Sequence, residues 1–119
     1  MTQGILLLAH GSRDPQWQRP MEAVAARIRA LDPQARVGCA YLELTAPDLP
    51  AAAAALIAEG ACTIRVLPLF LGIGKHARED LPRKVAELRR SHPEVVFELQ
   101  PAVGEDARLV ELLARIALS

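Results

Sequence analysis

Apolar and polar positions along the chain follow two rhythms. Ile5–Ala9 is an unbroken apolar run that stops at His10-Gly11-Ser12, the pattern of a strand buried on both faces. Asp14-Pro15 then offers a helix N-cap followed by a proline suited to a first turn. Trp17, Met21, Val24, Ile28 and Leu31 recur at steps of three and four, the period of an amphipathic helix. Pro20 interrupts that pattern, predicting a separate first turn and a main helix starting near Pro20 that Asp32-Pro33 closes. Arg36–Leu42 reads as a second strand, and Asp48 caps a helix running through Ala51–Ala55 to Gly60. Thr63–Leu69, with a late Pro68, is the third strand. A loop, Gly72-Ile73-Gly74-Lys75-His76, follows it. Leu81, Val85 and Leu88 give a third helix one apolar face, and Val95–Leu99 is the fourth strand. Leu109, Leu112, Leu113 and Ile116, capped by Asp106, define the last helix.

Four alternations of strand and helix with short connections imply right-handed crossovers. The expected fold is therefore α/β, flavodoxin-like: a four-stranded parallel sheet of order 2-1-3-4 with helices on both faces. At 119 residues the chain accommodates one domain, 1–119. Fourteen basic residues balance fourteen acidic ones, which argues against a nucleic-acid partner. No apolar stretch is long enough to span a bilayer, so no membrane partner is expected. The start of the chain has no basic segment and no small-residue cleavage site, which leads to a cytoplasmic expectation. Cys39 and Cys62 lie 23 residues apart and fit neither a zinc motif nor a C-x-x-C pair. They read as small apolar side chains.

In a parallel sheet, ligands bind beyond the carboxyl ends of the strands. His10 follows the first strand, Glu43 the second, and His76 lies in the loop after the third, at intervals of 33 and 33 residues. Three consecutive strand–helix units thus present a ligand-type side chain at one edge. Two imidazoles and a carboxylate suit a divalent transition metal and also suit proton transfer. Glu43 alone is ambiguous, because alternation in Tyr41-Leu42-Glu43-Leu44 can equally turn it to solvent. His92, before Pro93 at a helix end, reads as a partner of the helix dipole.

Three familiar motifs are absent. Gly72–His76 lacks G-x-x-x-x-G-K-[ST], so no ATP site is expected, and no G-x-G-x-x-G follows the first strand. His10-Gly11 is similar to the strand-end Arg-His-Gly of histidine phosphatases. Here, however, the preceding residue is Ala9, which removes the phosphate-clamping arginine.

Four parts of the chain, taken in order, carry a closer resemblance. Leu7-Leu8-Ala9-His10-Gly11-Ser12-Arg13-Asp14 resembles the opening of the small sirohydrochlorin chelatases, of cobaltochelatase and ferrochelatase type. Tyr41-Leu42-Glu43-Leu44 with Pro47 resembles their second motif. Pro68–Leu71 and Gly74–Pro82 resemble their third, a G-x-H segment followed by D-x-P. Gly104-Glu105-Asp106 with Leu109 resembles their last helix.

The resemblance implies ATP-independent insertion of Co2+, or of Fe2+ or Ni2+, into sirohydrochlorin on the routes to cobalamin or sirohaem. No cofactor is implied beyond that metal substrate. His10 and His76 are carried over as metal ligands and bases, and Glu43 as the third ligand. Larger chelatases of the superfamily have two such halves around a cleft, so the resemblance implies a homodimer. A carboxylate-rich, apolar macrocycle calls for an apolar platform, assigned to Phe70 and Leu71 with Leu69 and Ile73. It also calls for a basic rim, assigned to Arg13, Lys75 and Arg78. Ser12 and the N–H groups around Gly11 and Gly72 are candidates for carboxylate binding. The alternative reading is a non-catalytic module of the same fold that binds or delivers a metal or a tetrapyrrole.

Overall fold

The structure, a computed structural model, describes residues 2–119. Four parallel strands form one sheet of order β2-β1-β3-β4, the expected order. They are β1 (Thr2–Ala9), β2 (Arg36–Tyr41), β3 (Ala61–Pro68) and β4 (Val96–Leu99). Helices α1 (Arg19–Leu31), α2 (Leu49–Ala58), α3 (Lys75–Ser91) and α4 (Ala107–Leu118) alternate with them. Short 3-10 turns at Pro15–Gln18 and Val103–Glu105 precede α1 and α4.

The register aligns the strand ends that matter. Ala9 pairs with Tyr41, and Leu8 pairs with Pro68, so β1, β2 and β3 finish side by side. Pro68 ends β3 rather than breaking it. The missing N–H costs nothing there, because the ladder passes to Leu69, whose N–H donates to the Leu8 carbonyl at 2.8 Å.

The central strand is buried on both faces: Leu6, Leu7 and Leu8 have no exposed surface. Leu6 and Leu8 join Ile64, Val66 and Phe97 beneath α2 and α3, which contribute Leu49, Ala53, Leu56, Leu81, Val85 and Leu88. Leu7 and Ala9 face the other way, with Val37 and Tyr41, against Met21 and Ala25 of α1. Helices therefore lie on both faces, but unequally: two cover one face and one covers the other.

Local signals explain most boundaries. Asp14 accepts the Gln16 N–H and Pro15 opens the 3-10 turn, so the interruption expected at Pro20 appears as a change of helix type. Asp48 accepts the Ala51 N–H at the start of α2. Asp106 accepts the Arg108 N–H at the start of α4.

Two expectations are corrected. Lys75 and His76 are not in the loop but form the first turn of α3, whose N-cap is Gly74. Pro82 lies inside that helix, and the helix continues past it because packing of Leu81, Val85 and Leu88 outweighs one lost hydrogen bond. In α1, the stripe from Trp17 to Leu31 overstates the buried face. Met21 and Ala25 are buried, whereas Val24 and Leu31 are exposed. Cys39 and Cys62 are half-buried free thiols, and burial pushes the Cys39 thiol above its usual range against the opposing effect of Arg29.

Candidate active site at the carboxyl edge of the sheet

His10 is the first residue past β1, and Glu43 lies two residues past β2. The ladder continues between them: the Leu42 N–H donates to Ala9 at 3.0 Å, and the Glu43 N–H donates to the His10 carbonyl at 2.9 Å. Gly11 makes this approach possible. Its φ is +109°, and a Cβ there would stand 1.8 Å from the Glu43 carbonyl oxygen. No side chain fits, so the His10 and Glu43 loops press together backbone to backbone. Beyond Glu43, Leu44 adopts a φ of +67° and the Ala46–Pro47 peptide is cis. The Thr45 N–H returns to the Glu43 carbonyl at 2.8 Å, which ties the turn down.

The His10 ring lies on the Phe70 ring, with centroids 4.4 Å apart and planes inclined by 25°. The imidazole is exposed on its outer side, while Phe70 is buried. Phe70 is in turn fixed from behind. The Gly104 N–H donates to the Phe70 carbonyl at 2.9 Å, and a Cβ at Gly104 would stand 1.8 Å from the Leu71 carbonyl oxygen. The turn before α4 thus holds the segment on which His10 rests. Gly104 belongs to this support although it was not among the predicted site residues. Its presence in the Gly104-Glu105-Asp106 motif was the signal for it.

His76, on the first turn of α3, is the third exposed candidate at this edge. The α3 N-terminus has no side-chain cap and no acidic residue in its first turn. It carries Lys75, His76 and Arg78 at its positive end. Among the described residues, no three His, Cys, Asp or Glu side chains form a cluster able to hold an ion. His10 and Glu43 meet through their backbones, and their side chains reach into solvent.

The other candidates divide. Leu71 is exposed at 70%, suited to a platform, but Phe70 and Leu69 belong to the core and Ile73 packs against it. Phe70 is therefore covered, lying under His10 rather than forming an open platform. The Ser12 hydroxyl accepts the Asp14 N–H at 3.1 Å and so shapes the entry to the first turn. Arg13, Gly72 and Lys75 are exposed. Arg78 lines a cavity of about 180 Å³ with Ile73, Leu81, Gln100 and Glu105, on the β4 side of the edge. On the α1 side, Trp17 and Tyr41 lean together at 6.2 Å. Burial, helped by Cys39 and Glu22, pushes the Tyr41 hydroxyl above its usual range.

A four-stranded parallel sheet that brings two histidines and a carboxylate to its carboxyl edge, with basic side chains beside them, defines a class of protein. The comparisons name that class. The CbiX family model matches residues 4–117, and the chain belongs to the CbiX family. A sirohydrochlorin cobaltochelatase of Sulfolobus acidocaldarius is 31% identical over 110 residues, covering 92% of this chain and 85% of the relative. A crystal structure described as a cobalamin (vitamin B12) biosynthesis CbiX protein, from Marinobacter aquaeolei, superposes with a TM-score of 0.82 at 31% identity. The match covers 97% of this chain and 93% of that one. The sirohydrochlorin chelatase SirB of Bacillus subtilis subspecies spizizenii, in complex with cobalt, superposes with a TM-score of 0.81 at 28% identity. This chain spans 49% of that longer protein. No helix among the described residues is long and apolar enough to cross a membrane.

Proposed function

We propose that this enzyme inserts a divalent metal, Co2+ before Fe2+ or Ni2+, into sirohydrochlorin, and that it works as a homodimer. The observation that carries the reading is the junction of His10 and Glu43, locked at 2.9 Å with no room for a side chain at Gly11, in a chain of the CbiX family. Its cobaltochelatase relative supports the choice of metal.

Insertion exchanges M2+ for two pyrrole N–H protons. The metal is taken up by the exposed side chains of His10, Glu43 and His76, with water at its remaining positions. These are nitrogen and oxygen donors of intermediate softness, without a thiolate that would retain the ion. A metal that must be surrendered to a macrocycle needs ligands that meet on it and part again. An imidazole free of metal takes a pyrrole proton on its unprotonated ring nitrogen. The stack on Phe70 orients His10 for both duties. The carboxylates of the substrate are met by Arg13, Lys75 and Arg78 and by the uncapped N–H groups at the start of α3. Ser12 and Gly72 border that region, and Leu71 offers the apolar contact for the ring.

The test is anaerobic absorbance spectroscopy of sirohydrochlorin with each metal. Insertion faster than the protein-free rate, over several turnovers per chain, is expected, with Co2+ fastest. The His76→Ala variant is expected to bind substrate but lose insertion with an unchanged fold. Normal turnover in that variant removes His76 from the mechanism. A single equivalent bound without turnover turns the reading to a carrier of the same fold.

A further inference from the structure

One side-chain contact joins the two loops that carry His10 and Glu43. The Gln18 Nε2 donates to the Thr45 hydroxyl at 3.0 Å across 27 positions of chain. Among the described residues it is the only hydrogen bond between two side chains more than three positions apart. Gln18 stands at the N-cap of α1, where a side chain ordinarily serves its own helix. It makes no capping bond there and reaches to the opposite loop instead.

Each end of this contact leads to a site residue. From His10 the chain reaches Gln18 through a run of local bonds. The Asp14 N–H donates to the Ser12 hydroxyl at 3.1 Å, and the Gln16 N–H to the Asp14 carboxylate at 2.9 Å. The Trp17 N–H donates to the Asp14 carbonyl at 3.0 Å. At the other end, the Thr45 N–H donates to the Glu43 carbonyl at 2.8 Å and closes a three-residue turn over Leu44 at φ +67°. A turn closed in this way about a positive φ is the rare and strained form. Leu44 is 52% exposed, so burial does not offset the strain. Backbone held in such a region persists only where its surroundings over-determine it. The strained residue is also the immediate neighbour of Glu43.

We infer that Gln18 and Thr45 are positioning residues whose hydrogen bond keeps the strained turn at Leu44 closed and so fixes the Glu43 carboxylate relative to His10. Both act through Glu43. Without the bond, Leu44 relaxes towards a negative φ and carries Glu43 with it. The inference rests on the proposed reading of Glu43 as a ligand of the entering metal, and it names the residues that aim that ligand.

The test titrates the full chain with Co2+ alone, followed by visible absorbance, beside insertion kinetics and thermal unfolding. Thr45→Val keeps the shape of the side chain and deletes the hydroxyl. It is expected to weaken Co2+ binding about 5-fold, the worth of one neutral hydrogen bond, with the KM for sirohydrochlorin unchanged. Thr45→Ser, which retains the hydroxyl, is expected to restore Co2+ binding. Gln18→Met should match Thr45→Val, and the double variant should be no worse than either, because both remove the same bond. Glycine adopts a positive φ without strain, so in a Leu44→Gly background Thr45→Val is expected to cost less than 2-fold. Unchanged Co2+ binding in Thr45→Val overturns the inference. So does a serine variant as weak as the valine one, or a Thr45→Val cost undiminished beside Leu44→Gly. A KM for sirohydrochlorin that rises in step with the Co2+ constant shows a general loosening of the loop and overturns it equally. A chain whose Co2+ binding follows these variants but which inserts no metal refutes the proposed activity alone. A chain that inserts Co2+ while indifferent to Thr45→Val refutes the brace alone, and a wild type that takes up no Co2+ refutes both.

Discussion

Gly11→Ala bears directly on the site because it separates two costs that the structure assigns to one residue. The first is backbone strain: an L side chain at φ +109° costs about 1–3 kcal/mol. The second is steric. The new methyl would stand 1.8 Å from the Glu43 carbonyl oxygen, where carbon and oxygen ordinarily approach to about 3.3 Å, so the loops must part by roughly 1.5 Å. Strain of that size lowers Tm by roughly 5–15 °C in a chain of this length. Displacement beyond 1 Å of one proposed ligand from another costs on the order of 100-fold in rate. Gly60→Ala is the control. Gly60 also has a positive φ, +99°, but nothing lies within 4 Å of its added methyl, and it sits at the opposite end of the sheet after α2. Thermal unfolding by circular dichroism and initial rates of cobalt insertion are measured on both variants. Both are expected to lose Tm, and only Gly11→Ala is expected to lose rate. A Gly11→Ala variant that inserts cobalt at the rate of Gly60→Ala would refute the claim that the His10–Glu43 approach is functional.

Phe70→Leu removes the ring beneath His10, a contact worth about 0.5–1.5 kcal/mol, and is expected to lower the insertion rate about 10-fold for a Tm loss of a few degrees. Phe97→Leu, equally buried but tilted towards His92, should lose similar Tm and keep its rate; equal rates in the two would remove Phe70 from any positioning role. The Asp106 carboxyl is held down to about 2, first by its side-chain hydrogen bonds from Arg108 and then by the Arg108 N–H. An unfolded aspartate titrates near pH ~3.9, so the contribution of Asp106 to stability is present above that pH and fades as pH falls towards 2. Acid titration of the helical signal should therefore show a loss in that window that Asp106→Asn flattens, and an unchanged profile would count against the cap.

The succession of strands and helices was legible because the apolar runs are short, continuous and separated by capped helices. Asp14, Asp48 and Asp106 each cap where they were expected to. Local hydrogen bonds of this kind depend on neighbours two or three residues away, so the chain states them directly. The candidates His10, Glu43 and His76 were legible for a related reason. A parallel sheet puts the end of every strand at one edge, and residue type and position along the strand then suffice.

What the chain could not state concerns contacts between distant segments. That His76 begins a helix rather than ending a loop depended on Leu81, Val85 and Leu88 finding the sheet. Phe70 as the rest for His10, and Gly104 as the brace behind it, join residues far apart in sequence. The apolar period of α4 was read correctly, but period alone carries no address. Only the tertiary structure shows that this stripe has no cover in its own chain. Hydrophobic patterning specifies that a face must be buried, and the geometry of the whole fold decides against what.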